Sequence, residues 1–157
     1  MQKILLTFII IFCCNFLTNA HALEKGTWTL TKENDWCYIG SLPTKTDLPE
    51  TKKRGENYII VYKIIGSDEN IVQVEAGYKY NLDKKIVVKI DNTSFDFFST
   101  EDSNETAWTD DDSTVIYAMK MGLELILSGQ SSRGTITNDT FTLKGFTSAI
   151  NQLNKDC

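Results

Sequence analysis

Short segments with the pattern of β-strands, separated by turn residues, dominate this sequence. Residues 58–65 are rich in β-branched and aromatic side chains, and residues 71–76 alternate in polarity with the two-residue period of a half-buried strand. Further segments of this kind recur about every 8–12 residues between Gly26 and Leu143, with Gly, Asn and Asp between them. Roughly eight strands in this arrangement predict a mostly β domain, built as a sandwich or a barrel.

Two segments instead have the spacing of helices. A short internal helix is predicted from Asp112 or Ser113 to the residue before Gly122, because acidic and hydroxyl side chains cap a first turn and glycine commonly follows a last one. Its apolar face consists of Val115, Ile116 and Met119. A C-terminal amphipathic helix is predicted on an apolar face that consists of Phe146, Ala149, Ile150 and Leu153. We therefore expect two helices beside the strands.

Three further predictions concern the connections between strands. Residues 41–56 contain both prolines and the charged run 52–54, so we expect a long exposed loop there. Residues 100–112 are polar and acidic and are expected to form a second long connection. Residues 134–143 are predicted to form a hairpin with its turn at Asn138-Asp139, since both residue types favour turns.

The N-terminus has the layout of a secretory signal peptide. The apolar run that follows Lys3 is roughly 14 residues long, shorter than the ~20 that span a bilayer, and it ends in the small-residue sequence Ala20-His21-Ala22. We therefore predict a signal peptide at residues 1–22 and a single domain at residues 23–157, which is either periplasmic or secreted to the cell surface, without stable membrane insertion. The alternatives are a retained membrane anchor and a lipoprotein modified at Cys13.

Cysteine usage indicates one disulfide. Of the four cysteines, Cys13 and Cys14 belong to the predicted signal peptide, which leaves Cys37 and Cys157. Two cysteines exported to an oxidising compartment pair by default. The alternative is two free thiols; a redox-active pair would need a Cys-x-x-Cys spacing, which this chain lacks.

Charge and histidine content exclude several function classes. Residues 1–22 contain one of the 16 basic residues and none of the 21 acidic ones, so the predicted domain has a formal charge of −6. This acidity argues against binding to nucleic acid and against docking on anionic lipid. The only histidine, His21, lies in the predicted signal peptide, which leaves none for Ser-His-Asp or Cys-His catalysis or for the common zinc sites. We therefore predict no enzyme and no catalytic, metal or cofactor-binding residues.

Binding is the remaining function class, and the sequence offers loops and one arginine as candidates. Loops on a rigid β scaffold commonly carry binding, which favours residues 41–56 and 100–112. The acidic residues of the second loop are an alternative calcium site, but the Gly and Glu positions of the EF-hand pattern are missing. Arg133, beside Gly134 in a predicted turn, is either a structural clamp on carbonyl groups or a partner contact.

Short motifs in a fixed order give the chain a resemblance to a known family. They are Trp28, Trp36-Cys37, Arg54-Gly55, residues 77–80, Ala107-Trp108, residues 118–122, residues 132–135, residues 139–146 and Cys157. In this order and spacing, the chain resembles the invasion-associated locus B family of exported alphaproteobacterial proteins. The most specific parts are residues 132–135 and 139–146.

The resemblance implies a periplasmic or surface β-sandwich, associated in some members with host-cell invasion, and it supplies no catalytic residue. The predicted fold is thus mostly β: an immunoglobulin-like β-sandwich with a short internal helix and a C-terminal helix. We predict an exported, non-catalytic interaction protein that binds an unidentified protein of the host or of the envelope. The alternative is a periplasmic structural or chaperone-like protein. Exposed aromatic side chains would favour the first function, and a charged surface with all aromatics buried the second.

Overall fold

A computed structural model describes residues 22–157, so the predicted signal peptide, apart from Ala22, lies outside the described residues. Ten strands and two helices follow one another in this part of the chain. They are β1 (Thr29–Lys32), β2 (Trp36–Ser41), β3 (Lys45–Thr46), β4 (Tyr58–Ile64), β5 (Ile71–Glu75), β6 (Ile86–Ile90), β7 (Thr93–Phe97), β8 (Thr106–Trp108), α1 (Asp112–Met121), β9 (Glu124–Gln130), β10 (Ile136–Thr142) and α2 (Phe146–Asp156).

The strands form two antiparallel sheets of five strands each. Sheet one has the order β1-β2-β4-β5-β8, and sheet two has the order β3-β10-β9-β6-β7. A bridge between Phe98 and Trp108 joins the end of β7, in sheet two, to β8, in sheet one. The mostly β, two-sheet architecture with one internal and one C-terminal helix is therefore confirmed.

Each sheet has one apolar inner face because buried and less buried side chains alternate along its strands. In β5, Val72 and Val74 are fully buried, whereas Gln73 between them is not. In sheet two, Val88 of β6 lies opposite Leu127 of β9, and both side chains are buried. The inner faces and the apolar sides of both helices form one core.

Helix α2 packs against β1, β2 and β4 of sheet one. Its predicted apolar face is buried; it consists of Phe146, Ala149, Ile150 and Leu153. Trp28 meets Phe146 edge-on at a ring-centroid distance of 4.9 Å, and its indole N–H donates to the carbonyl of Thr142. The predicted disulfide is present: it joins Cys37 of β2 to Cys157 after α2, with the two Cα atoms 6.0 Å apart. The C-terminal helix is thus held on sheet one by packing and by a covalent bond.

The N-cap of α1 is Asp111, not the predicted Asp112 or Ser113. The Asp111 carboxylate accepts a hydrogen bond from the backbone N–H of Thr114 at 3.1 Å. Asp112 instead turns toward sheet one, where its carboxylate accepts the backbone N–H of Val72 at 2.7 Å. The residue that caps the helix and the residue that ties it to β5 are therefore neighbours with different roles.

Gly122 ends α1 for a different reason than the predicted one. Its φ of −87° and ψ of 169° are extended, not left-handed. A Cβ at this position would lie 2.6 Å from Cγ2 of Ile90 and 3.0 Å from the carbonyl oxygen of Ala118. Close packing of the chain, rather than the turn conformation, requires glycine here.

The predicted hairpin turn at Asn138-Asp139 is wrong. β10 runs through both residues and pairs along its whole length with β9, and the turn lies at residues 131–135 instead. Within the strand, the backbone N–H of Asn138 donates to Oδ1 of Asp47 at 2.6 Å, and the Asp139 carboxylate accepts from Arg54. Tertiary partners satisfy these polar groups, so the turn propensity of the pair is overridden.

The two predicted loops are more ordered than expected. Residues 41–56 begin in β2 and include β3, which pairs with β10, and residues 100–112 include β8, which pairs with β5. Conversely, residues 78–80 do not continue β5; Tyr80 makes a single bridge to Ser131. Both loops are therefore fixed to the sheets near their ends.

Candidate functional site

A cleft of about 800 Å³ opens between the loop that follows β3 and the turn between β9 and β10. The loop side is lined by Leu48, Thr51, Lys52, Lys53 and Arg54. The opposite side is lined by Gly77, Tyr78, Lys79, Glu105, Ser131, Ser132, Arg133 and Thr135. The volume lies in the range of sites that bind small molecules or short peptide segments.

A buried ion pair between Arg54 and Asp139 holds the base of the cleft. The guanidinium donates through Nη1 to Oδ2 of Asp139 at 2.7 Å and through Nη2 to Oδ1. It also donates to the carbonyl of Ala76 at 3.0 Å and to the hydroxyl of Thr46 at 2.8 Å. The two side chains are only 7% and 1% exposed, so the loop is fastened to β10 and to the end of β5 by a desolvated, bidentate contact.

Two tyrosines fill the space beside this ion pair. The hydroxyl of Tyr78 is 2.8 Å from Oγ1 of Thr137, and burial raises the pKa of the Tyr78 phenol. The Tyr80 ring meets that of Tyr78 edge-on and lies so close to Gly129 that a Cβ there would be 2.9 Å from the ring. The base of the cleft is therefore closely packed.

Backbone contacts set the positions of the two walls. The N–H of Gly55 donates to the carbonyl of Gly77 at 2.8 Å, which joins the loop to the segment that follows β5. The N–H of Ser132 donates to the carbonyl of Lys79 at 2.7 Å, which places the β9–β10 turn beside that segment. Nζ of Lys52 donates to the hydroxyl of Thr135 at 2.8 Å, so one side chain spans the cleft. The walls of the cleft are therefore held in place by contacts between loops and a turn, and neither helix lines them.

The charge of the cleft is opposite to that of the chain. Four cations line it besides Arg54: Lys52, Lys53, Lys79 and Arg133. Glu105 is the one carboxylate among the lining residues. Within residues 22–157 the salt bridges are Arg54–Asp139 and Lys85–Asp96, so these four cations have no ion-pair partner. The positive charge of this concave surface is therefore available to a ligand.

The structure brings the sequence-predicted binding candidates together. Residues 41–56 supply the loop wall, residues 100–112 supply Glu105, and Arg133 lies on the turn opposite. Arg133 is exposed, and no hydrogen bond of its side chain is found within the described part of the chain, which does not support its role as a clamp. Arg54 is the residue that clamps a carbonyl. Sequence reasoning assigned it to an exposed charged run.

A second surface with aromatic side chains lies on the outer face of sheet one. Because Cys37 and Ile39 point into the core, Trp36 and Tyr38 of the same strand point outward, and both are half-buried. Their rings stack with centroids 4.8 Å apart, and Tyr62 meets Trp36 edge-on at 5.9 Å. A cavity of about 310 Å³ beside them is lined partly by Trp36, Tyr38, Leu23 and Tyr58. Burial and a hydrogen bond to Glu75 raise the pKa of Tyr58.

The described residues contain neither a metal-binding cluster of side chains nor a helix able to span a membrane. Between Ala22 and Cys157, no group of three or more His, Cys, Asp or Glu side chains is arranged to hold a metal ion. The helices of the same region do not reach the length and apolarity needed to cross a bilayer.

Comparison with known proteins identifies a family and finds similar solved structures. The family model described as invasion associated locus B (IalB) protein matches residues 29–154. The crystal structure of invasion associated protein B from Bartonella henselae is similar with a TM-score of 0.52 and 13% sequence identity, over 80% of this chain and 95% of that one. No curated protein sequence matches this chain. At this identity the structural likeness concerns the fold alone.

Proposed function

The chain belongs to the invasion associated locus B family, and from that premise we propose that it is an exported, non-catalytic binding protein that contacts a protein partner through the basic cleft. The bacterial envelope or the cell surface is its proposed location. The proposed partner is a protein of the host or of the envelope, and the family name favours a contribution to host-cell invasion.

The observation that carries this proposal is the convergence of both polar loops and Arg133 on one cleft. Buried contacts fix its base, including the Arg54–Asp139 pair. A site whose backbone is already ordered loses less conformational entropy on binding than a mobile loop does. The proposed binding surface is therefore preorganised, while its exposed cations have no ion-pair partner among the described residues.

Aromatic exposure also supports an interaction role over a featureless envelope protein. Tyr117 on α1 is 67% exposed, and Trp36 and Tyr38 are only half-buried on sheet one. Side chains of this type are enriched at protein–protein interfaces. The structural alternative would favour aromatic side chains that are all buried, and these three are not.

A chaperone-like envelope function is the second candidate because of one apolar patch. Tyr117 and Met121 are one helical turn apart on α1, and Leu123 lies two residues beyond Met121; the three side chains are 67%, 71% and 81% exposed. Exposed apolar groups of this kind can hold unfolded chains. Under this alternative, substrates would contact the end of α1 and not the cleft.

Photo-crosslinking in the native cell distinguishes the two candidates. A benzoylphenylalanine introduced at Arg133 reports on the cleft, one at Met121 reports on the apolar patch, and one at Lys89, an exposed residue of β6, is the control. We expect discrete protein adducts from Arg133 and none from Lys89. Adducts from Met121 alone would assign the chaperone-like function instead, and absence of an adduct at Arg133 would contradict binding through the cleft.

A further inference from the structure

We propose that the cleft binds an extended acidic peptide segment, one that carries at least two Asp or Glu side chains, presented by the partner protein. This inference rests on the proposed function, because it names the kind of surface that the partner presents. Its first support is electrostatic. Lys52, Lys53, Lys79 and Arg133 have no ion-pair partner among the described residues, and they line one concave surface of an otherwise acidic domain.

Clustering of unpaired like charges has no benefit for folding. Each of these lysines and Arg133 repels the others, and a ligand that supplies negative charge removes that repulsion. Attraction between a positive cleft and an anionic segment also accelerates association. The arrangement is therefore better explained by a ligand than by stability.

The donor set favours dispersed carboxylates over a phosphate or sulfate group. Three of the four cations without an ion-pair partner among the described residues are lysines, which act as point charges, whereas phosphate recognition commonly uses bidentate arginine. The guanidinium of Arg54 is already occupied by Asp139 and two backbone or side-chain oxygens. Helix N-termini are the other common phosphate sites, and neither Asp112 nor Phe146, where the two helices begin, lines the cleft.

The size and the mixed lining favour a peptide over a single ion. About 800 Å³ is far more than one carboxylate or phosphate group occupies, and it suits a ligand of several residues. Leu48 and Tyr78 lie among the cations and offer apolar contact area. The exposed hydroxyls of Thr51 and Ser132 offer hydrogen bonds to a peptide backbone. A segment that combines acidic and apolar side chains matches this lining.

Glu105 gives the proposal a test of opposite sign. Its carboxylate is the one negative group that lines the cleft, and it repels an anionic ligand while it screens the neighbouring cations. Glu105→Gln removes this repulsion at nearly constant side-chain shape. It should therefore strengthen the binding of an acidic peptide, whereas a merely destabilising substitution would weaken it.

The experiment uses the exported protein expressed from the full-length gene and three fluorescein-labelled hexapeptides in a fluorescence anisotropy titration. The first alternates glutamate and leucine, the second glutamine and leucine, and the third lysine and leucine. We expect binding of the glutamate peptide only, weakened at high salt because screening reduces attraction between exposed charges. Lys52→Gln combined with Arg133→Gln should weaken it by about tenfold, and Glu105→Gln should strengthen it by about two- to fivefold.

Lys89→Gln combined with Lys144→Gln is the matched control, because it changes the net charge equally at exposed cations outside the cleft. Thermal unfolding checks that every variant is folded.

Equal binding of the glutamate and glutamine peptides, or an equal loss of affinity in both double variants, would overturn the proposal. Tighter cleft-dependent binding of inorganic pyrophosphate or of a heparin fragment would overturn it in favour of a phosphate or sulfate site. If Arg133 gives a protein adduct in cells but the peptide does not bind, the acidic-peptide proposal is wrong and the proposed function stands. If the peptide binds but Arg133 gives no adduct, the proposed function is wrong, and only the affinity of the cleft for acidic peptides is supported.

Discussion

The guanidinium of Arg54 and the carboxylate of Asp139 form a buried ion pair across 85 residues of sequence. This contact joins the loop that lines the cleft to the middle of β10. Removing one member of such a pair leaves the other charge buried without compensation. The pair therefore couples the stability of the domain to the shape of the candidate site.

Asp139→Asn should lower the free energy of unfolding by about 3–5 kcal/mol, because it leaves the Arg54 guanidinium desolvated and unpaired. Urea unfolding followed by tryptophan fluorescence measures the change. Arg54→Met combined with Asp139→Leu should cost less than Asp139→Asn, since both charges are then absent. The control is Lys85→Gln, which breaks the exposed Lys85–Asp96 pair and should have no measurable effect. A loss equal to that control would show that the buried pair has no special role.

Local sequence patterns predicted the elements whose structure depends on nearby residues. The period-two segment at residues 71–76 forms β5, and the helical spacing of Phe146, Ala149, Ile150 and Leu153 forms the buried face of α2. Both follow from which side of an element is apolar. The disulfide between Cys37 and Cys157 followed from cysteine count and compartment rather than from geometry.

The errors arose where a distant partner decided the local structure. Asn138-Asp139 reads as a turn, yet Asp139 lies in the middle of a strand because Arg54 satisfies its carboxylate. Arg54 in turn reads as one charge of an exposed run, although its side chain is 7% exposed. No short-range signal marks either residue as half of a buried pair. The sequence therefore predicted the loops and Arg133 that line the cleft, but it did not predict the Arg54–Asp139 pair at the base of the cleft.

The Cys37–Cys157 disulfide should contribute strongly to stability because it closes a loop of 120 residues. In the chain-entropy view, a crosslink over so long a loop restricts the unfolded chain greatly. Cys37→Ala combined with Cys157→Ala should lower the free energy of unfolding by about 2–5 kcal/mol. Urea unfolding of this variant should match that of the wild-type protein in excess dithiothreitol. No difference between oxidised and reduced wild-type protein would contradict the prediction.

Export should remove residues 1–22. The short apolar run and the sequence Ala20-His21-Ala22 predict cleavage after Ala22, so N-terminal sequencing of the protein from native cells should begin at Leu23. Ala20→Leu combined with Ala22→Leu should block cleavage, because signal cleavage requires small residues at these two positions. Recovery of a membrane-bound protein that begins at Met1 would support the alternative of a retained anchor.

Asp112 should contribute more to the stability of the domain at acidic pH, where its carboxyl group is protonated, than at neutral pH. Burial first, and then the nearby Asp111, Glu69 and Asp110 carboxylates, raise the pKa of Asp112 above its ordinary value, although a hydrogen bond from Val72 opposes the shift. The folded state therefore binds the proton more tightly than the unfolded state does. The resulting stabilisation is present below the ordinary pKa of about 4 and is lost as the pH rises through the raised value. Asp112→Asn should thus stabilise the protein more at pH 7 than at pH 3, as measured by urea unfolding.

Asp111→Asn is the matched control because its pH dependence has the opposite sign. Hydrogen bonds from Thr114, followed by one from Ser113, lower the pKa of Asp111. Its contribution to stability is present above the ordinary pKa and is lost as the pH falls through the lowered one. Asp111→Asn should therefore be less favourable at pH 7 than at pH 3. The same pH trend in both variants would show that the pKa of Asp112 is not raised by its burial against β5.

Gly77→Ala should distort the cleft, because two backbone segments meet at Gly77. Its φ is +73°, and a Cβ would lie 2.3 Å from the carbonyl oxygen of Gly55 and 2.9 Å from that of Glu56. These are backbone atoms, so no side-chain rotation can relieve the overlap, and the loop wall must move away from Tyr78. Gly134→Ala is the control: its φ is +84°, but no atom lies within 4 Å of its Cβ position. A residue in the left-handed conformation alone costs about 1–2 kcal/mol, so Gly134→Ala should lose about that much stability and Gly77→Ala clearly more.

Urea unfolding measures the loss of stability in both glycine variants, and the glutamate peptide titration at 25 °C reports the shape of the cleft in each of them. Equal losses of stability, or full peptide affinity in Gly77→Ala, would show that the contact between Gly55 and Gly77 does not set the position of the loop wall.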